Sequence, residues 1–145
     1  MFVDIDHASL DMAASSLPGY QPIFMLNLLR YRDEALYPDK SELPACSGRE
    51  AYFTRYVPAF RKIATPQGVR PTWLGSVGAL LVAAQGEAWH DAAIVRYPDF
   101  ATFRAIVLSS DYRREAEPHR LAALADWRLI ATTEVQVPAD LQPRA

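Results

Sequence analysis

The sequence predicts an α+β domain of the split β-α-β kind, an antiparallel four-stranded sheet with two helices on one face. Three observations predict it. Strand-length apolar runs recur at about 22–30, 69–84, 88–97 and 128–137. A helical pattern follows Ser47, and a second follows Pro98. The order is therefore β-α-β-β-α-β, and 145 residues suit one domain with its own core.

Ahead of that core, residues 7–16, "HASLDMAASS", read as an extra N-terminal helix capped by Ser9 and stopped by Leu17-Pro18-Gly19. The first strand, about 22–30, is apolar throughout apart from Asn27 and the terminal Arg30. Residues 33–46 hold two prolines and no period, which predicts a loop. Ser47 and Glu50 then have capping-box spacing. In the helix they open, Tyr52, Tyr56, Phe60 and Ile63 share a face, and Pro58 should kink it.

The second strand, 69–84, contains Gly75 and Gly78, which suggest a bulge or a close backbone approach. A turn at "QGE" makes a hairpin with the third strand, 88–97. Pro98-Asp99 opens the second helix, whose inner face is Phe100, Phe103 and Ile106 or Val107. That helix breaks near Ser109-Ser110 and bends at Pro118. The last strand spans 128–137, and the tail over 138–145 is expected to be loose.

A sheet with one wet face should alternate apolar and polar residues. Here Phe24, Leu26 and Leu28 point one way, and Ile23, Met25 and Leu29 the other. The second strand sets Trp73, Val77 and Leu81 against Leu74, Leu80 and Val82. The face that the helices leave bare therefore needs a cover. A second copy packed sheet to sheet supplies one, which predicts a homodimer. The alternative cover is the N-terminal helix with the 33–46 loop.

A net charge of −2, with Lys40 and Lys62 the only lysines, argues against nucleic acid. Cys46 is alone, so no intrachain disulfide or thiolate cluster is expected, and it reads as an incidental loop cysteine. Acids where a signal peptide needs positive charge, and no apolar run of spanning length, suggest a cytoplasmic protein with no membrane partner. His7, His90 and His119 have no metal-binding spacing, and His90-Asp91 reads as a surface hairpin feature. No metal or other cofactor is predicted. Haem, which needs only one axial histidine, stays open, with His119 the candidate.

The polar residues that could line a cleft are Asn27, Arg30, Tyr52, Tyr56, Arg96, Tyr97, Tyr112, His119 and Arg120. Arg30 and Arg96 are expected near each other, holding an anion, with His119 as acid or base. Alternatively, each of these residues packs the core or ties down a loop, and Arg96 pairs with Glu134.

Tyr97-Pro98-Asp99, Ser110-Asp111-Tyr112 and Arg120 resemble the "YPS", "SPEY" and helix-end arginine motifs of the DUF1330 family, over roughly residues 22–135. The start with "NLLRYR" is similar to a longer branch of that family. Ser109-Ser110 stands where the "SPEY" box has its proline, and the Gly-Gly pair of short members is missing. The resemblance implies a ferredoxin-like domain packed as a dimeric α/β barrel. Its function is then small-molecule binding, or cofactor-independent catalysis, on an aromatic or carboxylate-bearing compound. A non-catalytic dimerisation or ligand-sensing module is the alternative.

Overall fold

A computed structural model describes residues 5–38 and 41–144. The opening "MFVD" and Lys40 of the 33–46 loop lie outside the described residues. The four strands are β1 (Ile23–Tyr31), β2 (Arg70–Ser76), β3 (Asp91–Tyr97) and β4 (Leu124–Thr132). They form one antiparallel sheet in the order β2-β3-β1-β4. This is the ferredoxin-like arrangement, with the extra helix α1 (His7–Ser16) in front.

In β1 the residues Ile23, Met25, Asn27, Leu29 and Tyr31 are buried, and those between them are half-buried. The buried set faces two long helices. Helix α2 covers residues 48–64 and α4 covers residues 110–123, with α3 (Phe100–Leu108) leading into the latter. Phe100, Phe103, Ile106 and Val107 are all buried, as their spacing predicts. Asp99 caps α3 by accepting from the Thr102 N–H, and Ser109 ends it with extended backbone.

Several boundaries depart from the sequence reading. Asp6, not Ser9, caps α1: its carboxylate accepts from the Ser9 N–H at 2.7 Å. The second strand ends at Ser76 rather than 84. The turn closed by the Glu87 N–H on the Ala84 carbonyl leaves only residues 88–90 to oppose 77–83, so the arms pair no further than the Val77 N–H bond to the His90 carbonyl at 2.8 Å. The intervening Leu81 and Val82 are 93% and 97% exposed. β4 begins at Leu124, not 128, and ends at Thr132, because its partner β1 has no residue beyond Ile23 to pair with 133–137. Gly75 is a close approach, but of a side chain: a Cβ there would meet the Trp73 ring at 2.4 Å.

Among the described residues, both expected local covers pack against the helices. The 33–46 loop runs along α4, where the Leu36 N–H bonds the Ala122 carbonyl. Helix α1 packs beside α3 through buried Leu10 and an Asp11–Arg104 ion pair.

Candidate ligand cavity

Helices α2 and α4 share a local distortion. Residues Ala51–Tyr56 and Tyr112–Ala116 are π-helical. The Val57 N–H bonds the Tyr52 carbonyl and the Glu117 N–H bonds the Tyr112 carbonyl, each five residues back. Pro58 and Pro118 come directly after. A proline in a helix has no N–H to donate and crowds the carbonyl four residues earlier. The widened turn accommodates both defects, and such turns recur at functional sites. The kinks expected at the two prolines are these two turns.

The π-turns bring aromatic side chains together under the sheet. The Tyr52 and Tyr56 rings lie 5.1 Å apart, Phe60 stacks on Tyr56 at 5.7 Å, and the Tyr56 and Tyr112 hydroxyls are 3.3 Å apart. Arg120 projects from α4 among them. Its guanidinium lies 5.4 Å from the Tyr56 ring centre, 5.5 Å from Trp127 and 6.0 Å from Tyr52. Its Nη1 reaches the Tyr56 hydroxyl only at 3.5 Å, and its buried Nη2 has no hydrogen-bond partner. Among the described residues no carboxylate forms an ion pair with it.

Beside this guanidinium is a cavity of about 290 Å³ between the sheet and the helices. Asn27, Tyr97 and Leu129 contribute from the sheet, Tyr52, Tyr56 and Phe60 from α2, and Val107, Tyr112 and Arg120 from α3 and α4. The Asn27 amide donates to the Met25 carbonyl at 3.1 Å, which satisfies part of its polarity. Burial pushes the Tyr52 hydroxyl up to about 12, against the opposing charge of Arg120. It also pushes Tyr97 and Tyr112 well above the usual phenol range. These hydroxyls are therefore neutral at physiological pH and act as hydrogen-bonding groups, not as bases.

No family model matches the chain, and no curated protein matches it. Among solved structures, the RPA0582 protein of unknown function from Rhodopseudomonas palustris superposes with a TM-score of 0.81 at 31% identity. The match covers 94% of this chain and 98% of that one. The chain belongs to the RPA0582 family. The methylated RPA0582 protein gives a TM-score of 0.73 at 32% identity, over 92% and 94% of the two chains. A dimeric protein of unknown function and ferredoxin-like fold from Bacteroides fragilis NCTC 9343 aligns at a TM-score of 0.42 and 10% identity, over 81% of this chain and 100% of that one.

In this RPA0582 relative, six of the expected site residues share the cavity wall: Asn27, Tyr52, Tyr56, Tyr97, Tyr112 and Arg120. Three do not. Arg30 and Arg96 lie on the outer face, opposite Asp126 and Phe24 respectively. Six residues of β1 separate their register positions, about 20 Å, so they form no common anion clamp. The residue paired with Arg96 on β2 is Arg70, not an acid. His119 faces away from the cavity: its Nδ1 and the Tyr37 hydroxyl share a bond of 2.8 Å. Burial, and then the charge of Arg55, hold its pKa below the usual histidine value. An acid or base role in the cavity has no geometric support there; the histidine ties the 33–46 loop to α4.

His90 is likewise a tether. Its Nδ1 accepts from the Tyr31 N–H at 3.0 Å, and its ring stacks on Tyr31. The sequence reading missed Asp91 beside it, which is 2% exposed. Its carboxylate accepts from the Tyr31 hydroxyl at 2.7 Å, Arg49 at 2.8 Å and Ser76 at 3.1 Å. Also missed were Arg61 and Arg70 on the cavity lining. Their positions on α2 and β2 carried no signal beyond being arginines on separate elements.

Proposed function

We propose that this protein is a small-molecule-binding protein whose ligand, aromatic or carboxylate-bearing, occupies the cavity between sheet and helices. The observation that carries the reading is Arg120: a buried guanidinium with an unpartnered Nη2 beside an open apolar volume. A buried charge without a counter-ion costs up to several kcal/mol, which the Tyr56 hydroxyl and the surrounding rings offset only in part. An arrangement that expensive is consistent with a partner that arrives from solution. The likeness to DUF1330 proteins agrees with this, because Tyr97, Tyr112 and Arg120, which carry that likeness, all line the cavity. Cofactor-independent catalysis is the less favoured form of the reading, since Tyr52, Tyr97 and Tyr112 are held neutral and no histidine or carboxylate among the described residues lines the cavity.

The working unit is a homodimer joined through the outer sheet face. Its support is the apolar surface that a single chain leaves uncovered there, including Ile130, 45% exposed, with half-buried Phe24, Leu26 and Ile94.

Methyl-detected NMR against a library of small aromatic and aliphatic compounds tests the cavity. Hits should shift Val69, Val95, Val107 and Leu129, and Val107→Trp should abolish them. A library without hits would favour the alternative, a dimerisation module whose polar residues are purely structural.

A further inference from the structure

The charges around the cavity say what kind of molecule it takes. Among the described residues its lining carries three arginines, Arg61, Arg70 and Arg120, and no aspartate or glutamate. The chain as a whole has more acids than bases, 17 against 15. An acid-free, three-arginine lining in an acidic protein is a local reversal of sign. The three arginines are also arranged by depth. Arg120 is buried, whereas Arg61 and Arg70 are exposed, beside exposed Thr65 and Pro71. Two cations at the mouth would draw an anion inward, and one would receive it at the bottom.

The walls between are mostly apolar and aromatic: Phe60, Val69, Val95, Phe103 and Leu129, with the faces of Tyr52 and Tyr56. At about 30 Å³ per water, the volume corresponds to roughly ten waters, or a ligand of about a dozen heavy atoms. The groups near the guanidinium are hydroxyls, and burial holds those of Tyr52, Tyr97 and Tyr112 neutral. They can donate to a carboxylate without repelling it.

We infer that the natural occupant is a compact aromatic carboxylate, its carboxylate on Arg120 and its ring among the tyrosines and Phe60. This rests on the cavity being a ligand site and specifies that site's chemistry. A neutral amide of the same shape would leave the Arg120 charge unanswered.

Calorimetry on the intact wild-type protein provides the test, with trans-cinnamate, trans-cinnamamide and octanoate as probes. Cinnamate should bind at least tenfold more tightly than its amide and more tightly than octanoate, and its affinity should fall as salt rises. Arg120→Gln should lose the preference for acid over amide. If that variant does not fold, Arg61→Gln/Arg70→Gln, altered only at exposed positions, should slow cinnamate association and flatten its salt dependence. Amide binding equal to or tighter than acid binding would overturn the carboxylate while leaving the cavity as a binding site. Octanoate outcompeting cinnamate would overturn the aromatic assignment. Absence of binding by all three probes, with no shift of the cavity methyls, would remove both readings.

Discussion

Replacing Asp91 with alanine would leave the Tyr31 hydroxyl buried without its acceptor and free Arg49 and Ser76 from theirs. An unsatisfied buried hydroxyl costs about 1–3 kcal/mol, and the half-exposed Arg49 adds little because water replaces its partner. Asp91→Ala is expected to lose about 2–3 kcal/mol, measured as a lower urea midpoint at unchanged slope. Tyr31→Phe should lose less, because it removes both a donor and its need. The buried tyrosines give a second prediction. Burial, joined in Tyr31 by its bond to Asp91, raises Tyr31, Tyr52, Tyr97 and Tyr112 above their unfolded value near ~10. The unfolded chain therefore releases these protons first. Their contribution is complete below about pH 10 and is lost as pH rises through the folded values, with Tyr52 at about 12. Circular dichroism and tyrosinate absorbance followed together should show late ionisation coinciding with unfolding; phenols that ionise with the fold intact would contradict it.

At the scale of elements, the entry of α2 is the tightest junction. Ser47 accepts from the Glu50 N–H at 3.0 Å, so the near half of the predicted capping box forms. The next residue, Gly48, touches both the end of β1 and the end of α4. A Cβ on it would meet the Arg32 carbonyl at 2.3 Å and the Ala123 carbonyl at 2.5 Å. Backbone atoms cannot swing aside as a side chain can. Gly48→Ala should therefore cost about 2–3 kcal/mol, whereas Gly78→Ala, with nothing within 4 Å, should be close to neutral. Thermal melts of the two variants compare them directly. Because α2 carries Tyr52 and Tyr56, Gly48→Ala should also broaden the NMR signals of the cavity methyls.

For the molecule as a whole, the outer sheet face sets the expected assembly. Light scattering at micromolar concentration should give twice the chain mass of 16.2 kDa. Ile130→Glu, on the exposed part of that face, should shift it to one chain mass without loss of secondary structure. A wild-type monomer would remove the dimer and leave the internal cavity standing, since every lining residue comes from one chain. Among the described residues no helix is long and apolar enough to cross a membrane.

The strand and helix order, the inner faces of both helices, the cap at Ser47 and the opening of the second helix at Pro98-Asp99 were legible in the sequence. They depend on local spacing, which the backbone geometry converts directly into a face or a cap. Six cavity residues were nameable for the same reason: each sits on a predicted strand or inner helix face or in a motif. Tertiary structure alone decided that Arg30 and Arg96 stand apart, that His119 turns outward to Tyr37, and that Asp91 is a buried acceptor. Those outcomes depend on strand register and on the rotation of α4 about its π-turn. Both arise from contacts between segments far apart along the chain, to which the spacing within any one segment is blind.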